Sequence, residues 1–159
     1  MNPEVRAILD RVRETCDFGY VPFEDINDTN EFGSNALHCI AVWGDTGSAR
    51  ILISEGINVN QRGEDGYTPL HMAAEFGHYD LAKLLLDSGA NPLARTDGDL
   101  PLTIARLSKQ DAMCDLISEY MRKFPPDNPA LLRQAHMSQL TEQIDDLRAH
   151  IKHECDDKP

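Results

Sequence analysis

Residues 65–96 run DGYTPLHMAAEFGHYDLAKLLLDSGANPLART, and the rest of the chain repeats, caps or extends this stretch. Asp65-Gly66 is a turn signal, and Thr68-Pro69 after it can open a helix. The threonine hydroxyl suits the N-cap, and proline at the first helical position lacks only an N–H that would be unpaired there anyway. Leu70, Ala73 and Ala74 give that helix one apolar face, and Gly77 ends it. Asp80 is placed to cap a second helix, in which Leu81, Leu84 and Leu85 recur at helical spacing before Gly89 stops it. The stretch is therefore a turn followed by two short antiparallel helices, too small to bury its apolar faces without neighbours.

Those neighbours appear when the sequence is slid along itself. At a shift of 33, Thr68-Pro69-Leu70-His71 falls on Asn35-Ala36-Leu37-His38, Gly77 on Gly44, and Gly89 on Gly56. At a shift of 32, Asp65-Gly66 falls on Asp97-Gly98, Pro69-Leu70 on Pro101-Leu102, and Ala73 on Ala105. A period of roughly 33 residues, with TPLHxAA followed by Gly-His, resembles the ankyrin repeat. The match is nearly complete over 65–96, good over 32–64 and looser over 97–121. The resemblance implies an all-α fold, an ankyrin-repeat solenoid of about three repeats. An N-terminal capping helix and an extra C-terminal helix complete it.

On this reading the chain divides into a capping helix and acidic loop (1–31), repeats at 32–64, 65–96 and 97–124, and a proline-rich linker with a last helix and tail (125–159). Val5, Ile8, Leu9 and Val12 follow Asn2-Pro3 at helical spacing, which predicts a helix over 3–15 that covers the first repeat. Ile26-Asn27 keeps register with Val59-Asn60, so a degenerate half-repeat is expected before the first full one. Phe18, Tyr20, Val21 and Phe23 are expected to pack the loop onto the body. In the third repeat Leu100 replaces the capping threonine, Thr103 replaces histidine and Lys109-Gln110 replaces Gly-His, which argues against a standard helix turn there. Beyond Phe124-Pro125-Pro126, Met137, Leu140, Ile144, Leu147 and Ile151 mark a helix over 129–153 with an a/d stripe. That stripe either packs back as a cap or pairs with a second copy; it is shorter than the ~3–4 heptads a free-standing coiled coil needs.

The chain holds 27 acidic and 15 basic residues, a net charge of -12. Nucleic acid and anionic membranes need a cationic surface, so both are excluded as expected partners. Asp17, Glu24, Asp25, Asp28 and Glu31 crowd the leading loop with no basic residue among them. A basic partner protein would suit this acidity. Cys16, Cys39, Cys114 and Cys155 form no CxxC pair, and the charged N-terminus has no signal-like apolar run, so a cytoplasmic chain with reduced thiols is expected.

No phosphate loop, nucleophile elbow or HExxH motif is present, and no enzyme and no cofactor are expected. His38 and His71 occupy the histidine slot of TPLH, where the resemblance implies a hydrogen-bonding role between repeats. His150, His153 and Cys155 have a spacing that could reach one zinc ion, but no fourth ligand accompanies them, and the expectation is no metal site. Ankyrin stacks bind partners through the first helices and loop tips. Carried onto this chain, that face comprises Ser34, Cys39, Val42 and Trp43, then Arg62, Glu64, Tyr67, Met72, Glu75 and Phe76, then Asp99, Ile104, Leu107 and Ser108. Trp43 and Phe76 hold one slot in successive repeats, just before the turn glycine. Large aromatics with carboxylates around them form the pattern of an interface, unless the N-terminal loop or the last helix covers them. The expected function is non-enzymatic protein binding. Small free-standing bacterial ankyrin proteins, which this chain resembles, include immunity proteins that cover a toxin's active site. The alternative is an oligomeric scaffold, a weak homodimer joined through the last helix.

Overall fold

The computed structural model describes residues 1–15 and 17–123; the expected helix over 129–153, with His150, His153 and Cys155, lies outside the described residues. Among the described residues there are seven α-helices and no strand beyond an isolated Thr29–Asn35 bridge. They are α1 (Pro3–Arg13), α2 (Ala36–Trp43), α3 (Thr46–Ser54), α4 (Pro69–Phe76), α5 (Tyr79–Asp87), α6 (Pro101–Leu107) and α7 (Asp111–Lys123). Helices α2, α4 and α6 stack side by side as one layer, α3, α5 and α7 form the second, and α1 packs on α2 and α3. This is an ankyrin-type solenoid of three helix pairs. Its core is one continuous row of small and branched side chains, including Leu37, Ile40, Leu52, Leu70, Leu81, Leu85 and Ile117.

Three ladders make the repeats cohere. In the first, histidine closes the capping boxes of α2 and α4: the backbone N–H of Asn35 donates to His38 Nδ1 at 3.2 Å, and that of Thr68 to His71 Nδ1 at 3.2 Å. Each Nε2–H then reaches the next repeat, donating to the Tyr67 carbonyl at 3.1 Å and the Asp99 carbonyl at 3.4 Å. The second ladder is made by asparagines. The Asn58 N–H donates to Asn27 Oδ1 and the Asn91 N–H to Asn60 Oδ1, both at 2.7 Å. Asn27 thus meets repeat one as Asn60 meets repeat two, which is the register expected of a half-repeat. The third ladder lies at the inter-helix turn. His78 donates from Nε2 to the Val42 carbonyl at 2.9 Å, and its ring fills the space beside Gly44, where a Cβ would come within 2.5 Å of Nδ1. Gly44 is also left-handed (φ 71°), so both space and backbone require glycine.

Several local expectations need correcting. Asp80 does not cap α5: His78 is the N-cap residue, without a side-chain bond, and Asp80 lies in the first turn. A carboxylate there still favours the helix N-terminus through the dipole. The third repeat keeps the standard turn despite losing Gly-His. Gln110 N–H donates to the Ala105 carbonyl at 2.9 Å, as His78 N–H donates to that of Ala73 at 2.9 Å. Lys109 adopts φ 55° to allow it, and the Gln110 side chain occupies the space next to Gly77. A lysine in left-handed conformation is strained by about 1–2 kcal/mol. Lys109→Gly is therefore expected to stabilise the protein by about 0.5–1 kcal/mol after the extra unfolded-state entropy of glycine is subtracted. A urea melt checks the sign; a destabilised variant would show that the lysine side chain contributes more than its backbone costs.

In the leading loop Phe18, Val21 and Phe23 are buried, but Tyr20 is exposed, attached only by its hydroxyl, which accepts the Glu31 N–H at 2.8 Å. The loop's acids are partly spent on itself. Asp28 accepts the N–H groups of Glu24 and Asp25, and Asp25 accepts that of Asn27. Cys39 and Cys114 are free and half-buried on α2 and α7. Burial pushes the Cys39 thiol up to about 11, so it stays protonated at neutral pH.

Candidate functional site

The inner helices present their C-terminal ends together. Helical geometry turns Leu70, Ala73 and Ala74 of α4 inward, which leaves Met72, Glu75 and Phe76 on the open side; α2 repeats the arrangement with Cys39, Val42 and Trp43, whereas α6 exposes Leu107 but buries Ile104, the counterpart of Met72. The result is a row of apolar side chains crossing three repeats: Val42 and Trp43 (39% exposed), Phe76 (50%) and Leu107 (71%). Single exposed apolar side chains are ordinary, and Phe32 and Leu93 are open to a similar degree; what distinguishes these is their recurrence on successive inner helices. Met72 and Cys39 are half-buried on the same side. Ser34 and Ile104 are buried, so neither belongs to the open face. Ile104 is turned inward in α6, which packs against both α4 and α7.

Trp43 does not stand free. The Arg11 guanidinium lies over its ring, 4.8 Å from the centroid, and is ion-paired to Asp45 while donating to Ser48 Oγ at 3.2 Å. Asp45 in turn caps α3 through the Ser48 N–H at 3.0 Å. That backbone bond, followed by Arg11, lowers the Asp45 carboxyl to about 2. Arg11, Glu14, Thr15, Trp43 and Asp45 line an open cleft of about 540 Å³. The N-terminal helix thus covers one side of Trp43 without burying it. No sequence periodicity reveals this, because Arg11 and Trp43 are brought together only by tertiary packing.

Toward the hairpins the face becomes acidic. Tyr67 packs against His71 with ring centroids 5.4 Å apart. Partial burial, and then the carboxylates of Glu75, Asp99 and Asp65, push its phenol pKa upward. Glu64 is exposed at the same hairpin, and the Arg62 guanidinium is turned along it, donating to the Arg95 carbonyl at 2.7 Å. The ion pairs among the described residues lie elsewhere, at Arg11–Asp45, Asp10–Arg13, Lys83–Asp87 and Glu119–Lys123. Glu75, Asp65, Glu64 and Asp99 have no ion-pair partner among the described residues. Tyr67, Glu75 and Asp99 are thus brought together electrostatically, Trp43 and Phe76 hold equivalent slots one repeat apart, and Leu107 extends that row.

Chemically, such a surface can hold another chain by apolar burial with a carboxylate rim. No group of three or more potential metal ligands occurs among the described residues, and none of their helices is long and apolar enough to cross a membrane. A search of curated proteins returned no match. A family model, ankyrin repeats (3 copies), matches residues 6–96. It begins inside α1, takes in the acidic loop, and stops before α6, where the sequence leaves the repeat pattern but the structure keeps the helix pair. With the match extending over more than half of the sequence and the histidine and turn ladders in place, the chain belongs to the ankyrin-repeat family, whose members bind other proteins.

Proposed function

We propose that this chain binds a partner protein through the face built by α2, α4 and α6, without catalysis of its own, and acts as an inhibitor that covers a basic site on that partner. The observation that supports this is the apolar row of Val42, Trp43, Phe76 and Leu107, left exposed across all three repeats beside carboxylates that have no ion-pair partner among the described residues. An apolar centre with a charged rim is the anatomy of a protein interface. The net charge of -12 favours a cationic partner by steering. The inhibitor role, in the manner of an immunity protein blocking a cognate toxin, extends the resemblance to small bacterial ankyrin proteins; the fold alone does not specify it.

Co-purification with the products of neighbouring genes tests the reading, followed by an activity assay on whatever partner is retained. Phe76→Ala is expected to weaken binding at least ~10-fold, as truncation of a central aromatic does. Its melting temperature should stay close to wild type, because half of the side chain is already exposed. Trp43→Ala should act in the same direction but also release Arg11. Full partner retention by a Trp43→Ala, Phe76→Ala double variant overturns the proposed face, and a bound partner with unimpaired activity overturns the inhibitor role.

A further inference from the structure

The repeat symmetry of the molecule shows what the Phe76 position is suited to hold. Trp43 and Phe76 occupy the same slot of α2 and α4, one residue before the left-handed turn glycines Gly44 and Gly77. In repeat one that slot is already occupied: the Arg11 guanidinium carbon lies over the Trp43 ring, 4.8 Å from its centroid, and a carboxylate, Asp45, pairs with it. The chain thus displays, within itself, a guanidinium docked on an inner-helix aromatic beside an acid.

Repeat two keeps the aromatic but has no cation from the described residues over it, and its adjacent carboxylate is Glu75 rather than a counterpart of Asp45. Phe76 stacks on His78, with centroids 6.4 Å apart and planes 12° from parallel, and half of its surface remains open. Glu75 precedes it in the chain, exposed and without an ion-pair partner among the described residues. The cation–ring contacts among the described residues are Arg11–Trp43 and Lys123–Tyr120, neither of them at Phe76. The carboxylate here comes from the residue before the ring rather than from two residues after it, since His78 stands where repeat one has Asp45. From the equivalence of the two aromatic positions, and from the exposed carboxylate of Glu75 next to Phe76 in the chain, we infer that this position takes an arginine side chain of the partner, flanked by apolar residues that lie along Trp43 and Leu107.

Arginine suits the slot better than lysine. Its planar guanidinium can stack on a ring and bond a carboxylate at its edge together, whereas an ammonium is a compact, strongly hydrated charge. The carboxylates Asp65 and Asp99, which lie near Tyr67 at the hairpin end of α4, add longer-range attraction that weakens with salt. This inference rests on the proposal that the inner-helix face binds a partner, and its test separates the two.

The probes are three capped peptides, leucine–arginine–leucine and its lysine and citrulline counterparts, titrated into the ¹⁵N-labelled full chain. The arginine peptide is expected to shift the amide resonances of Glu75, Phe76 and Gly77, roughly threefold more tightly than lysine. Citrulline, which keeps the shape and lacks the charge, should bind least, and Glu75→Gln should abolish the arginine preference. Equal binding of the arginine and citrulline peptides at this face would overturn the arginine assignment while leaving an apolar binding face in place. Shifts confined to other surfaces, or no shift with the arginine peptide, would overturn the assignment as well; the partner-binding face is then judged separately by the double-alanine variant.

Discussion

Lowering the pH from about 6.5 to about 4 is expected to cost the fold on the order of 3 kcal/mol through His71 alone. His71 is fully buried, and desolvation brings its pKa down from 6.5 to about 4. The geometry agrees with the direction. Nδ1 accepts the Thr68 N–H, so a proton placed there would face another donor, while Nε2–H is committed to the Asp99 carbonyl. Between the two pKa values the unfolded chain holds a proton that the folded chain does not, so stability rises with pH across that window. It is complete above about 6.5, lost as pH falls toward 4, and constant in this contribution below. His38 is lowered in the same direction by burial and adds to the slope. Asp45 acts later. Its pKa, lowered to about 2 from 3.8, supports the fold above 3.8 and is lost as pH falls through about 2.

The net charge of -12 works against this trend, because protonating surface carboxylates relieves repulsion. Most such pairs are far apart and are screened beyond ~8 Å at physiological ionic strength, so the buried imidazoles should dominate. Urea titrations at several pH values measure the slope. His71→Leu is expected to be less stable at pH 7 and to have a shallower slope between 6.5 and 4. An unchanged slope in that variant would show that His71 does not titrate in this window.

The same ladder explains how much of the fold could be read from one sequence. TPLH is legible because its threonine, proline and histidine each satisfy a backbone requirement within four residues, and the two glycines mark left-handed turns. Helices α2 and α3 fall within a residue of the spans 36–43 and 47–55 that this spacing implies. Expectations failed where a side chain's role depends on a distant neighbour. Asp80 looks like a cap, but the turn takes its geometry from His78 reaching back to Val42. Lys109-Gln110 looks like a broken turn, yet packing against Gly77 holds it in the standard form. The candidate face divides similarly. Exposure of Phe76 and Leu107 follows from the short-range helix pattern, whereas the Arg11 cover on Trp43 and the burial of Ile104 arise from tertiary packing.

The largest single loss is expected at Phe23, in the loop that precedes the first full repeat. Phe23→Ala should destabilise the protein by about 3–5 kcal/mol, a large part of the ~5–15 kcal/mol available to a domain. The ring is fully buried and stacks on Phe18, with centroids 5.9 Å apart and planes 17° from parallel. Its carbonyl accepts a 2.9 Å bond from Arg6, so the residue links the loop to α1 as well as to the core. Phe23 also has a left-handed backbone, φ 49°, which an L-residue adopts at a cost of about 1–2 kcal/mol. The burial of a side chain this large more than outweighs that cost. Comparing two truncations separates the contributions. Phe23→Gly removes the same ring but relieves the backbone, so it should be no less stable than Phe23→Ala, although glycine elsewhere in an ordered segment loses about 0.5–1 kcal/mol to alanine. Because solenoid ends can open before the middle, hydrogen exchange should show the loss first in α1, at Leu9 and Val12, with α4 and α5 still protected. A Phe23→Ala loss below about 1 kcal/mol would contradict the packing argument. A glycine variant clearly weaker than alanine would contradict the strain.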